Sequence, residues 1–317
     1  MPLLTVLICT HNRADLLQRT LAALDAAERP PEGVQVLVVA NRCSDGTHTL
    51  LDAAARPGAG RLPLRWMAEP QPGKSHALNR ALPEIDTPLV VFVDDDQRPD
   101  PRFLVAIRDA ARDLPQADLL CGRLLPDWDG TEPAWVHDQG PYRIYPLPVP
   151  HFDQGPQRRA LGADGPVPSG GNLVARCEWL GRVGLFSTDL GPVGHDLGGA
   201  EDSDWITRAQ RLGATLHYDP AIVQRHHVES ERLALGYLMR KAYKRTAANI
   251  GLHGAPAGGA RVPLFVYRKL LVYLATVLTS PGAARRRFYL MRSAAALGEL
   301  SGYRRLAGSA GAARAAR

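Results

Sequence analysis

From Thr5 to Val93 the sequence alternates two hydrophobic periods, and few architectures accept that alternation. Thr5-Val6-Leu7-Ile8-Cys9 is a short β-branched and apolar run, and Leu16, Leu17, Leu21 and Leu24 follow it at helical spacing. Val34 to Val39 repeats the strand pattern, and Ser44-Asp45-Gly46-Thr47 then supplies turn and N-cap chemistry for a helix through Leu50, Leu51 and Ala54. Leu64-Arg65-Trp66 is a weaker third strand, and Lys74 to Leu82 carries Ala77, Leu78, Ala81 and Leu82 along one helical side. Leu89 to Val93 is the strongest strand pattern in the chain. Such alternation predicts an α/β fold with a mixed, mainly parallel sheet flanked by helices. Ligands of these sheets bind beyond the carboxyl ends of the strands, where the loops after Ile8, Val39 and Val93 emerge.

The polar residues at those ends carry chemistry. Asp94-Asp95-Asp96 follows the strongest strand directly. Three adjacent carboxylates repel, and a divalent cation of the Mg²⁺ or Mn²⁺ type would relieve them through hard oxygen ligands; an acidic surface turn is the plainer alternative. Glu201-Asp202-Ser203-Asp204 opens a helical segment with Trp205, Ile206, Ala209 and Leu212 on one side and Gly213 at its end. Acids in a first turn also complement the helix dipole. The glycine-rich approach, Gly191-Pro192-Val193-Gly194 and Gly198-Gly199, points instead to backbone coming close to a ligand. His226-His227 follows the strand pattern Ala221-Ile222-Val223, where an imidazole would either complete a metal shell begun by Asp96 or serve the fold. Pro72-Gly73-Lys74-Ser75 lacks the spacing of a triphosphate-binding loop, since position 68 is Ala68. Lys74 is then either a point charge for a diphosphate or a surface lysine.

Taken in order, these stretches resemble glycosyltransferase family 2. The strand and loop Thr5 to Arg13 is similar to the family's opening, and Ser44-Asp45-Gly46-Thr47 to its second loop. Pro72 to Asn79 resembles its G-K-x-x-A-L-N segment, Asp94-Asp95-Asp96 its D-x-D metal motif, Ser169-Gly170-Gly171-Asn172 its G-G-N loop and Glu201-Asp202 its E-D base motif. The resemblance spans residues 3 to 245. It implies the Rossmann-related GT-A fold, a nucleotide-diphosphate sugar as donor, a divalent metal (Mn²⁺ or Mg²⁺) and transfer with inversion to a saccharide or lipid-linked acceptor. By the same resemblance Asp202 is the catalytic base. The metal falls to Asp96, Asp94 and His226, with His227 as the fallback. The donor falls to Thr10, Asn12, Arg13, Asn41, Asp45, Lys74, Asp94 and Asp95. Gly170, Gly171, Asn172, Glu201 and Asp204 belong to the acceptor side. One position departs from the family: Ala40 precedes Asn41 where the family commonly carries an acid that contacts the base or ribose, so Asn41 and Asp45 are the candidates to replace it.

Charge divides the chain unevenly. The net charge is +6, yet the last 87 residues hold 16 Lys/Arg and two acids, Glu231 and Glu299, which leaves about −8 on the first 230. The expected organisation is therefore a GT-A-like catalytic domain over 1–230, with its nucleotide-sugar half at 1–125 and its acceptor half at 126–230, and a basic helical extension over 231–317. Residues 127 to 167 show no sustained periodicity and predict a long excursion over the sheet. Glu231 to Asn249 is a basic amphipathic helix, and Leu264 to Leu278 is more apolar but shorter than the ~20 residues that span a bilayer. Both fit an anionic membrane surface, or helices packed on the catalytic domain with solvated charges. Nucleic acid is not an expected partner, because no nucleic-acid module is present. The four cysteines are widely spaced without a C-x-x-C pair, and the N-terminus lacks a secretory pattern. These features predict a cytoplasmic protein, and the membrane alternative for the basic helices would make it peripheral on the cytoplasmic face of the inner membrane. A nucleotidyltransferase would share the acidic loop but leaves Glu201-Asp202 without a task, and a non-catalytic nucleotide-sugar binding module would need the acids not to converge.

Overall fold

The computed structural model describes residues 2–58, 60–145, 147, 149–190, 201–253 and 262–315, so the glycine-rich approach to Glu201 at 191–199 lies outside the described residues. The alternation read from the sequence is present: β1 (Leu4–Thr10), α1 (Ala14–Ala26), β2 (Val34–Asn41), α2 (Thr47–Ala54), β3 (Leu64–Glu69), α3 (Lys74–Ala81) and β4 (Leu89–Asp94). There follow β5 (Gln97–Pro99), α4 (Phe103–Asp113), β6 (Leu119–Asp127), β7 (Arg159–Leu161), β8 (Leu173–Arg176), α5 (Glu178–Val183), α6 (Glu201–Arg211) and β9 (Leu216–His227).

The central strands are buried on both faces, which explains why they read as unbroken apolar runs. Leu4, Val6 and Ile8 of β1, Val34, Val36 and Val38 of β2 and Leu89, Val91 and Val93 of β4 form one layer with α1 and α4. The intervening residues Leu7, Leu37, Val39, Val90 and Phe92 face the other way, onto α3, α5 and α6. The period of two along each strand thus sorts one sequence into two cores.

The sheet runs β3-β2-β1-β4-β8-β6-β9-β5, with β7 paired to β9. Strands β3, β2, β1 and β4 are mutually parallel. Strand β8 is antiparallel to both β4 and β6, and β9 is parallel to β6. Strands β1, β2, β4, β6 and β9 therefore end at one rim, and β8 alone of the named central strands begins there.

Strand β6 leaves its register with β9 between Cys121 and Arg123. At that break a Cβ on Gly122 would fall on the carbonyl of Ile222. The backbone groups of Gly122 are served by a side chain instead: its N–H donates to Asn172 Oδ1 at 3.1 Å, and Asn172 Nδ2 donates to its carbonyl at 2.7 Å.

The chain forms two compact units. One holds Met1–Asp127 and Pro150–His227, the other Trp128–Val149 and Val228–Arg317. The second contains α7 (Leu235–His253), α8 (Leu264–Thr279) and α9 (Ala283–Ala315), with α9 packed against both. The excursion 128–149 belongs to this unit. Asp138 pairs with Arg287 at 2.6 Å, the Arg287 guanidinium lies 4.9 Å from the Trp135 ring, and Tyr142 meets Phe288 edge to face. Among the described residues no helix is long and apolar enough to cross a membrane.

The close approach at the β6 break gives a test of the fold. Gly122→Ala overpacks a site where backbone must yield, at a cost of about 1–3 kcal/mol. Thermal unfolding should show Tm lowered by roughly 2–4 °C for each kcal/mol.

Candidate active site

The three carboxylates that leave β4 are each held differently. Asp94 receives the Lys74 ammonium at 2.5 Å, while its N–H donates to Gln97 Oε1 at 3.2 Å. Asp95 turns back toward β1, where Thr10 Oγ1 donates to it at 2.7 Å and Arg13 lies at 3.3 Å. Asp96 takes Arg13 at 2.8 Å on one oxygen and faces His226 Nε2 at 3.2 Å with the other. Thr20 Oγ1 pins the turn by donating to the carbonyls of Asp95 and Gln97 at 2.9 and 2.7 Å.

His226 arrives through a strand pairing that is hard to see in the sequence. Three-residue β5 runs antiparallel to β9 and sets Gln97 opposite His226, and the His227 N–H donates to the Asp96 carbonyl at 2.8 Å. His226 Nδ1 lies 2.9 Å from the His227 carbonyl. A ring nitrogen facing a carbonyl carries the proton, which leaves Nε2 as the nitrogen turned toward the acids. Ligand atoms of Asp94, Asp96 and His226 lie within 4.8 Å of one another. Asp96 Oδ1 is buried and accepts no hydrogen bond. Two carboxylates, an imidazole nitrogen and an oxygen lacking a donor fit a divalent cation of the Mn²⁺ or Mg²⁺ kind.

The opposite wall comes from the first turn of α6. Asp202 Oδ2 accepts the Gly170 N–H, and Oδ1 accepts the Ser203 N–H at 2.7 Å. A Cβ on Gly170 would stand 2.7 Å from Asp202 Oδ2, and one on Gly171 would fall on Asp94 Oδ2 and Gln97 Nε2. The turn Gly170–Asn172 is thus a thin wedge between two acids, and only residues without a side chain let both approach it. Asp94, Lys74 and Asp202 line one narrow cavity of about 10 Å³, room for a single water, walled also by Cys9, Phe92 and Phe186.

Burial and charge set the protonation states. Burial pushes the Asp94 carboxyl up, but Lys74 and then His226 outweigh it and hold the group below the usual carboxylate range. Burial works against the Lys74 charge, yet Asp94 and then Asp202 keep its ammonium above the ordinary lysine value. Glu201, buried in α6, adds to that field. Asp95 is pushed up to about 6 by burial and by neighbouring Asp96. Cys9 is pushed up to about 12 by burial, so this thiol is a wall and not a nucleophile.

Other residues singled out from the sequence hold loops together. Asn12 Oδ1 accepts the N–H groups of Ser44 and Asp45 at 2.7 and 3.3 Å, joining the first loop to the second. Asp45 accepts the N–H groups of Thr47 and Ala14, each at 3.1 Å, and so caps α2 and α1 together. The Asn41 amide donates to Gln71 O at 2.6 Å and accepts from Gly73 N at 2.9 Å, fixing the loop that carries Lys74. Asn172 is occupied by Gly122. Asp204 pairs with Arg208 at 2.9 Å and does not line the cavity. The structure adds Gln224 and Gln97, which the sequence did not single out, and gives Asn79, the last residue of the G-K-x-x-A-L-N segment, a structural task. Gln224 Nε2 donates to Gly171 O at 2.9 Å, Gln97 braces Asp94, and Asn79 exchanges two hydrogen bonds with the Phe186 backbone. The partner of Gln224 is a backbone group 53 residues away, so no local pattern marks it, whereas Gln97 reaches an acid three residues before it.

Comparison with known proteins bears on the fold and the family. The succinoglycan biosynthesis protein ExoM of Rhizobium meliloti (strain 1021) is 24% identical over 304 residues, covering 93% of this chain and 91% of that protein. The mannosyltransferase PcManGT from Pyrobaculum calidifontis, solved with GDP-Man and Mn²⁺, superposes with a TM-score of 0.56 at 19% identity over 94% of this chain and 87% of that one. S. aureus TarS superposes with a TM-score of 0.54 at 15% identity over 97% of this chain, which spans about half (55%) of TarS. These likenesses carry the fold, a mixed α/β sheet of the GT-A kind. Residues 5–184 match the sequence family described as Glycosyl transferase family 2, which contains β1 to β4, Asp94 to Asp96 and the Gly170–Asn172 turn: the chain belongs to that family and is a glycosyltransferase.

Proposed function

We propose that the protein moves a sugar from a nucleotide-diphosphate donor to a hydroxyl acceptor, with inversion at the anomeric carbon and with a divalent cation bound. The observation that carries this reading is the shared cavity, in which the Asp94–Lys74 pair faces Asp202 across the glycine wedge. A cation held by Asp94, Asp96 and His226 supplies neutralising charge for the departing diphosphate when bound. Lys74 adds a second positive charge on the same side, kept protonated by the acids around it. Asp202 takes the proton of the acceptor hydroxyl as its oxygen bonds to the anomeric carbon. The bond from that carbon to the diphosphate breaks, and the nucleotide diphosphate leaves with the electron pair. The N–H groups of Gly170 and Ser203 orient the Asp202 carboxylate for this task. Arg13 holds Asp96, and Thr10 holds Asp95, so each acid keeps one direction.

Three relatives support the reading at different points. The name of ExoM places that protein in succinoglycan biosynthesis, PcManGT was solved with GDP-Man and Mn²⁺, and the TarS 1–349 segment was solved with UDP. Assembly of a bacterial polysaccharide or glycolipid is the corresponding role for this chain, with a saccharide or lipid-linked acceptor. The basic C-terminal helices fit an enzyme held peripherally at the cytoplasmic face of an anionic inner membrane.

Asp202→Asn keeps the size and one acceptor oxygen but removes the base. Transfer should fall by ~10²-fold or more while donor binding, read by calorimetry, is kept. Turnover near that of the parent would remove Asp202 from the mechanism. Asp96→Ala, in contrast, should lose Mn²⁺ binding in an EPR titration and donor affinity with it, and excess Mn²⁺ should not restore either. An unchanged Mn²⁺ isotherm would place the cation elsewhere.

A further inference from the structure

Helix α8 is polarised in a way that the glycosyltransferase reading does not require. Its inner face packs on α9: Val266 is fully buried, the Lys269 ammonium pairs with Glu299 at 2.7 Å, and the Tyr273 ring meets Tyr289. Its outer face is apolar and open. Leu264 is 85% exposed, Leu271 69% and Leu278 84%, with Phe265, Val272 and Leu274 beside them. Among the described residues α8 finds its packing partner in α9, and nothing comparable covers this side. Single exposed leucines are ordinary on a protein surface, but a continuous row along one helix marks an interaction surface.

Charge selects the partner. Residues 262–298 contain Arg268, Lys269, Arg285, Arg286, Arg287 and Arg292 and no Asp or Glu. Arg268 is exposed on the same side as the leucines, and Arg286 is exposed just beyond the end of the helix. The unit as a whole has 17 Lys/Arg against six Asp/Glu. A second copy meeting this face would bring like charges together, whereas an anionic lipid surface offers opposite charge and an apolar layer at once. Length decides the orientation. With 16 residues α8 is about 24 Å long at ~1.5 Å per residue, short of the ~30 Å hydrocarbon core, so it fits a position in the plane of the interface and not across it.

We propose that the outer face of α8 is the membrane-docking surface of this protein, lying flat on an anionic bilayer with Leu264, Leu271 and Leu278 turned into the lipid. This rests on the membrane reading above and gives it one element and one orientation. Basic residues draw the unit to the headgroups, and the leucine row holds it there.

The test uses the full chain and vesicles of phosphatidylcholine with or without phosphatidylglycerol, at low salt. The protein should co-sediment with the anionic vesicles, and Leu271→Gln combined with Leu278→Gln should weaken this by roughly tenfold or more. Both positions are exposed and the change leaves the net charge untouched, so unfolding is not the expected cause; Mn²⁺ binding at the Asp96 site should be unchanged. In a separate variant, Leu271→Trp, brominated lipid should quench the added fluorescence. Binding of the double variant equal to that of the parent would overturn the role of α8 while leaving attraction by charge in place. A parent chain that stays in solution would overturn both. Dimers that the double variant dissolves, with vesicles ignored, would make the face a contact between copies and would also overturn the proposal. Loss of sugar transfer alone bears on the active site and not on α8.

Discussion

Mutual repulsion among Asp94, Asp95 and Asp96 is the constraint around which the catalytic unit is arranged. Adjacent carboxylates at a strand end, two of them nearly buried, would drive the turn open unless each met its own counter-charge or donor. The chain draws those counter-groups from three separate regions: Thr10 from the end of β1 with Arg13 from the loop after it, Lys74 from the start of α3 and His226 from the end of β9. Parallel strands ending at one rim make this possible, because each returns its next loop to the same edge of the sheet. The rim at Asp94 to Asp96 is consequently a place where distant segments are tied by electrostatics, and the fold and the site share the same groups.

The wall formed by the Gly170–Asn172 turn and Asp202 is built on a different principle. There the polypeptide is thinned to bring two acids within reach of one small space, and neutral amides replace the ladder that the thinning interrupts. Asn172 closes the break in β6, Gln224 holds Gly171, and Gln97 braces Asp94. An amide offers a donor and an acceptor without adding charge to a region already dense with it. Substitution of Asn172 or Gln224 would reach the cavity through the backbone of the glycine turn and its neighbour, and substitution of Gln97 through the Asp94 carboxylate.

Much of this was legible in the sequence, and the reasons differ from residue to residue. The parallel half of the sheet followed from alternating periods, since Val6, Val36 and Val91 are buried on a regular beat. The acids and Lys74 stood out because clustered charge is unusual beside apolar runs. The family resemblance added what periodicity could not: a reason for Asp94 to meet His226 on one side and Asp202 on the other. The placement of β8 between β4 and β6, and the pairing of polar Gln97-Arg98-Pro99 with β9, leave no hydrophobic pattern, because both are set by long-range hydrogen bonding. For Asn12, Asn41 and Asp45 the sequence indicated polarity at the right loops, but their geometry is one of capping and bridging within the protein. That the excursion 128–149 packs with the C-terminal helices is likewise invisible locally, since Asp138 and Arg287 stand 149 residues apart.

The interleaving of the two units limits how the chain can be divided. Asp127 and His227, the residues after which it leaves the catalytic unit, are register partners at the paired ends of β6 and β9. A polypeptide ended at His227 would keep residues 128–149 but lose Arg287, Phe288 and Tyr289, leaving Trp135 and Tyr142 facing water and Asp138 without its guanidinium. The helical part is therefore not a removable tail. Any exchange of it between relatives must carry the internal segment along, and the two must change together.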